Sequence, residues 1–277
     1  MSVLPEIRLG NISVSRLMVG GNPFSGNSHS SAELSAEMLD YYTADRIKQD
    51  LHECERCGIT TAQLRGDMHV RRLLHEYWNE GGKIQWLAQS APEMGDFATA
   101  VNQIKSWGAS AVYLHGGVAD GLFADGQMDE LMDRVKIMRD LGIPMGIGAH
   151  RPELIEEVES RGLDVDFYVC SFYTLATVPR ESFVATGRAG EEEFVRTDPP
   201  RMCQTIRSVR KPVVAFKVFG AGRQCRSPEG VRRALEFAYG SIKDTDTVTV
   251  GVFTKHGNQI AEDAGMVREI LGGSGGA

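Results

Sequence analysis

The sequence contains no apolar run long enough to cross a bilayer. Its first residues, Met1-Ser2-Val3-Leu4-Pro5-Glu6, lack the basic and apolar regions of a signal peptide. No block of basic residues occurs. Lys plus Arg number 30 against 37 for Asp plus Glu, a formal charge of −7. That balance argues against nucleic acid and against anionic membrane as partners. Cysteine is sparse. Five scattered residues, an odd number, fit a reducing cytoplasm rather than a disulfide framework. Cys54 and Cys57 form a lone CxxC at an expected helix end, and without a second pair they read as core packing. No Gly-x-Gly-x-x-Gly follows the first strand-like segment, which disfavours a doubly wound dinucleotide fold. What remains is an ordinary globular composition, 42% hydrophobic and 24% charged, suited to a small-molecule substrate, with the oligomeric state open.

Period-two alternation from Ile7 to Ser15, centred on Gly10-Asn11, predicts a hairpin. Leu17 to Gly21 reads as the first buried strand, and Asn22 to His29 as a loop. Ser30 and Glu33 have capping-box spacing and open a long helix that ends near Gly58. A regular beat then sets in. Strands are expected at residues 59–64, 84–88, 111–115, 145–149, 167–172, 212–219 and 247–252. Between them lie helical stripes, the clearest being Met128, Leu131, Met132, Val135, Met138 and Leu141, closed by Gly142. Residues 173–200 lack periodicity and mix Pro, Gly, Arg and Glu. A connection of that length reads either as a partly helical lid or as a solvated excursion. The glycine-rich end, 272–277, is expected to be a flexible tail. Eight strands alternating with helices after a hairpin predict one α/β domain over 1–277: a (β/α)8 TIM barrel with an N-terminal β-hairpin.

In such a barrel chemistry sits at the C-terminal strand ends. The chain's strand ends carry Asn22, Arg65 with Asp67, Gln89, His115, His150, Tyr173, Lys217, then Lys255. Three constellations stand out. His115 and His150, from neighbouring strands, suit an acid–base pair or two ligands of a divalent metal. Lys217, flanked by valine, alanine and phenylalanine, suits a structural ion pair, an anion contact or a carbonyl-polarising role. Gly220, Gly222 and Arg223 after the seventh strand, with Lys255 and Asn258 after the eighth, have the composition of a phosphate or anion cradle. Asn22, Arg65, Asp67, Gln89 and Tyr173 are then the expected substrate contacts.

Several of these segments resemble the aldo-keto reductase superfamily. Leu9-Gly10-Asn11 through Leu17, then Gly20-Gly21-Asn22-Pro23-Phe24-Ser25-Gly26, is similar to that family's opening hairpin and first strand. Val112-Tyr113-Leu114-His115 resembles its fourth strand, which ends in a substrate-polarising histidine. Gly251-Val252-Phe253-Thr254-Lys255 through Gln259 and Glu262 is loosely similar to its cofactor-binding strand-eight segment. The resemblance spans nearly the whole chain and implies a TIM barrel and an NADP-dependent reductase. It also shows departures. The family's catalytic aspartate, tyrosine and lysine positions fall on Gln63, Met68 and Gln89, so only His115 carries over.

Two functions are therefore expected. The first is non-redox proton transfer on a sugar, polyol or other oxo compound, of the isomerase, epimerase or lyase kind, with His115, His150 and Lys217 catalytic and His115 as the main acid–base residue. The alternative is a divergent NADP-dependent oxidoreductase with another proton donor, such as Tyr173. A non-catalytic ligand-binding barrel is a third class.

Overall fold

The structure, a computed structural model, describes residues 4–175 and 194–273. The hairpin forms as expected. Strands β1 (Glu6–Leu9) and β2 (Ile12–Ser15) pair antiparallel, and Gly10 turns between them at φ +56°. That left-handed conformation suits glycine, and a Cβ there would also lie 3.0 Å from Pro144.

Eight parallel strands close into a barrel. They are β3 (Leu17–Gly20), β4 (Thr61–Arg65), β5 (Gln85–Gln89), β6 (Ala111–Leu114), β7 (Met145–Ala149), β8 (Phe167–Ser171), β9 (Val213–Phe216) and β10 (Thr247–Gly251). Each pairs with its sequence neighbour, and β10 closes onto β3. Alternation divides their side chains into two cores. Leu17, Val19, Ala62, Trp86, Val112 and Ile147 pack outward against the helices. Met18, Leu87, Ala111, Phe167, Val169 and Val214 fill the barrel, where Ile7, Leu9 and Val14 of the hairpin join them. The hairpin thus plugs the N-terminal end with apolar side chains and leaves the opposite end to polar ones.

The surrounding helices are α1 (Ala32–Tyr41), α2 (Ala44–Arg56), α3 (Met68–Asn79), α4 (Phe97–Ser106), α5 (Gly116–Ala124), α6 (Met128–Arg139), α7 (Pro152–Ser160), α8 (Asp198–Ser208), α9 (Pro228–Ser241) and α10 (Gln259–Gly273). Among the described residues, none is long and apolar enough to cross a membrane.

Four expectations need correction. The long first helix is two helices. Ser31, not Ser30, caps α1 by accepting from the Leu34 N–H, and Thr43 starts a new helix by accepting from Arg46 N. A threonine that can cap competes with continuing the helix through it. Helix α5 was not anticipated, because Gly116-Gly117 reads as a breaker. Lys217 is not inside a strand: β9 stops at Phe216, and Lys217 turns away at φ +59°. Gly272 and Gly273 extend α10, while the remainder of the expected tail lies outside the described residues. So does most of the expected lid, residues 176–193.

Candidate active site

The site is built on the end of β6. His115 follows Leu114 and is the N-cap of α5. Its Nδ1 accepts the Val118 N–H at 3.4 Å, and its own N–H donates to the Ser90 hydroxyl at 2.9 Å. An Nδ1 that accepts a hydrogen bond carries no proton, so the remaining proton of the neutral ring sits on Nε2. Burial chiefly, and then the positive charges of Arg65 and Lys217, lower the His115 pKa to about 3. His115 is therefore a neutral imidazole at ordinary pH, with Nε2–H as a donor.

The unanticipated helix supplies the next group. Asp120, buried on α5, accepts from the ring Nδ1 of His150 at 2.9 Å and from its backbone N–H at 3.0 Å. The Arg151 N–H adds a third contact at 3.3 Å. This carboxylate holds the His150 proton on Nδ1 and leaves Nε2 as the basic nitrogen of the ring. Both histidines crowd the first turn of α5. A Cβ on Gly116 would lie 3.2 Å from His150 Cε1, and one on Gly117 would lie 3.1 Å from His115 Cε1. The two glycines that disguise the helix are what lets the rings approach it.

The cations come from the ends of two other strands. Lys217 lies past β9, with Nζ 6.0 Å from the Phe216 ring centroid. The other contact of Phe216 is His150, packed edge-on at 5.6 Å. Arg65, the last residue of β4, is held by Glu93: Nε donates to Oε1 at 2.7 Å, and a second guanidinium nitrogen pairs with Oε2. Beneath His115, two residues back on the same strand and face, lies Tyr113. Its hydroxyl oxygen accepts from Gln63 Nε2 at 2.6 Å and from Gln89 Nε2 at 2.9 Å.

Arg65, Gln89, His115, His150 and Lys217 are thus gathered at one end of the barrel. The other expected contacts have separate partners. Asp67 caps α3 by accepting from Val70 N at 2.9 Å. Asn22 is exposed and pairs with His29 at 3.0 Å. Tyr173 packs its ring on Phe194 at 5.1 Å, and its hydroxyl is raised in pKa chiefly by burial, with Gln224 as hydrogen-bond partner.

The expected anion cradle is taken up by protein contacts. The Gly220 N–H donates to the Lys217 carbonyl at 2.8 Å. Arg223 donates to the carbonyls of Gly220 at 3.0 Å and His29 at 3.4 Å, and covers Phe194. Gly222 turns in the left-handed region between them. Lys255 pairs with Glu37 at 2.7 Å. Asn258 accepts from Ala261 N at the start of α10 and donates to Glu53. Among the described residues no group of three or more His, Cys, Asp or Glu could hold a metal ion, so His115 and His150 have no third ligand beside them.

Sequence reading missed Asp120, Gln63, Tyr113 and Glu93 as site residues. The one local signal for Asp120 is a lone carboxylate in the apolar stretch Gly116–Ala124.

No protein-family model matches the chain, and no curated protein matches it in sequence. Solved structures do match in fold. A protein named Gox0644, in its apo form, aligns with a TM-score of 0.60 at 9% identity, over 97% of this chain and 93% of its own. The glycerol dehydrogenase AKR11B4 from Gluconobacter oxydans, an aldo-keto reductase, gives 0.56 at 10% identity, over 96% and 94%. Dihydropteroate synthase from Yersinia pestis gives 0.54 at 8% identity, over 97% and 98%. At such identities the likeness shows the barrel fold alone.

Proposed function

We propose that this protein is a barrel enzyme catalysing non-redox proton transfer on a sugar, polyol-derived or other oxo compound, as an isomerase, epimerase or lyase. The observation that carries the reading is the 2.9 Å contact between His150 Nδ1 and Asp120 Oδ2, set beside a neutral His115. Two histidines in one site with opposite protonation tasks make an acid–base pair.

His150 Nε2 takes the proton from the carbon next to a carbonyl, and Asp120 stabilises the imidazolium that forms. His115 donates its Nε2–H to the carbonyl oxygen. Roles therefore divide differently from the sequence expectation: His115 polarises, and His150 is the base. Negative charge gathers on the enediolate oxygen, where Lys217 and Arg65 stabilise it. Returning the His150 proton to the neighbouring carbon, while that carbon's hydroxyl proton passes to the former carbonyl oxygen, isomerises the substrate; returning a proton to the opposite face of the original carbon epimerises it. Passing the His150 proton to a hydroxyl on the next carbon as its C–O bond breaks eliminates water.

We read the chain as a divergent relative of the aldo-keto reductases that keeps the N-terminal plug and the strand-four histidine. Its residues do not fit the redox set. Gln63 and Gln89 stand at the aspartate and lysine positions and are turned onto Tyr113. Met68, at the tyrosine position, is exposed at the start of α3. The groups expected to hold the NADP phosphate are engaged by Glu37, Glu53 and backbone carbonyls.

The test is solvent exchange. In D2O with a panel of ketoses, aldoses and hydroxy-oxo acids, proton NMR should show deuterium entering the carbon next to the carbonyl, and His150→Ala should abolish it. Tryptophan quenching by micromolar NADPH, with hydride transfer and no exchange, would overturn the proposal.

A further inference from the structure

Two buried side-chain oxygens inside the barrel, Gln63 Oε1 and Thr249 Oγ1, have no hydrogen-bond partner among the described residues. Such orphans are costly, and most buried polar atoms avoid the condition. They are also neighbours. Thr249 pairs with Met18 on one side of the sheet closure, and Gln63 pairs with Gly20 two residues further along the same strand. Gly20 has no side chain, and a Cβ there would lie 3.0 Å from Thr249 Cγ2. With no side chain at Gly20, the Thr249 methyl packs close over that position.

A third group with open hydrogen-bonding capacity touches Gln63 directly. The Tyr113 oxygen accepts two amide N–H bonds, and no described residue accepts its own hydroxyl proton. Gln63 and Gln89 are half-buried, which places this polar set toward the His115 end of the barrel. Two residues of strand rise put Tyr113 about 6.6 Å below His115. The three groups therefore offer the Tyr113 O–H as donor, Gln63 Oε1 as acceptor and the Thr249 hydroxyl as either. Turning the Gln63 amide over satisfies Tyr113 but orphans an N–H2 instead, so one pole stays open in either orientation.

We infer that Gln63, Tyr113 and Thr249 together form a specificity subsite for a substrate hydroxyl on a carbon near the reacting carbonyl. A hydroxyl is at once acceptor and donor, so it can pair with these groups in either orientation of the Gln63 amide; a methyl can pair with none of them. The inference rests on the proton-transfer reading and narrows its substrates to polyhydroxy oxo compounds. Sites built to hydrogen-bond a hydroxyl reject the analogue without it more strongly than apolar pockets reject extra bulk, because the site's polar groups are left unpaired.

Binding can be measured without turnover, by ligand-observed NMR with glycerol, erythritol and xylitol against their mono-deoxy forms. His150→Ala protein serves to disable the chemistry. At least one polyol should bind, and removing the correct hydroxyl should weaken it about 10-fold or more. Thr249→Val, which keeps the shape, and Tyr113→Phe should each erase that preference while circular dichroism stays unchanged. Gln63→Leu should do the same, and if it fails to fold the other two variants still decide. Equal binding of polyols and deoxy forms overturns the inference. So does rapid carbon–deuterium exchange on oxo compounds without hydroxyls, unaffected by Thr249→Val, and that result leaves the proton-transfer reading intact. Clear hydroxyl preference with no exchange on any substrate supports the subsite and removes the proton-transfer reading.

Discussion

The two ends of the barrel bury similar residues in opposite ways. At the N-terminal end Arg16 is buried, with its guanidinium on the carbonyls of Asp246 at 3.1 Å and Lys243 at 3.2 Å. Asp246, fully buried, accepts from Val213 N at 2.9 Å and Lys243 N at 2.7 Å, with Lys243 Nζ at 3.1 Å. Tyr239 closes the set by donating to the Arg16 carbonyl at 2.6 Å. The charges there are matched and the hydrogen bonds run to backbone. At the C-terminal end Arg65 and Lys217 press positive charge on one neutral histidine, and two polar oxygens inside the barrel are unsatisfied. Residue type alone does not separate the Arg16–Asp246 cluster from the set around His115; the completeness of their hydrogen bonds does. A polar group with every partner supplied by the protein holds the fold, whereas an incomplete set is arranged for something that arrives.

Substitutions at each end sharpen or break that contrast. The largest effect is expected from His150→Ala, which should lower kcat by about 10²–10⁴ with the melting transition preserved; a folded variant with near-normal turnover would end the acid–base assignment. Arg16→Met, at the other end, should cost about 1–3 kcal/mol of unfolding free energy, because two buried carbonyls lose their donor. Denaturant titration measures it, and turnover of the folded fraction should not change. Next comes Asp120→Asn. It keeps the shape but loses the charge that orients His150, so a fall of about 10–100-fold is expected in steady-state kinetics.

Lys217→Gly should move the two properties in opposite directions. Glycine relieves the left-handed backbone and adds on the order of 1 kcal/mol of stability, while turnover drops. Loss of both would show that Lys217 belongs with the structural end.

A pH dependence tests the same histidine. Unfolded His115 takes up a proton below about 6.5, whereas the folded residue resists until about 3. Between those values the unfolded state binds the extra proton, so this group withdraws stability as pH falls through the window. His115→Asn, which can still cap α5, should flatten that part of the stability profile measured by urea unfolding.

The barrel was legible because buried parallel strands leave unbroken apolar runs, and because the hairpin carries its own turn residues. His115, His150 and Lys217 were legible as polar residues at the ends of such runs. Asp120 was not, since two glycines hid its helix and its partner lies on the following strand. The break at Thr43 depended on which of two capping options the chain takes. Lys255 and Asn258 looked available for an anion because their carboxylates, Glu37 and Glu53, lie more than two hundred positions away. Nothing local indicates such pairings. The roles of the two histidines also depended on contacts, Val118 N for one and Asp120 for the other, that spacing cannot supply.

Helix α5 begins on one histidine and carries the carboxylate that orients the other. Under the proposed reading its position is one mechanical coordinate shared by the polarising donor and the base, so a displacement of this nine-residue segment would change both roles. The acid and the base are in this sense one moving part, tuned together or lost together.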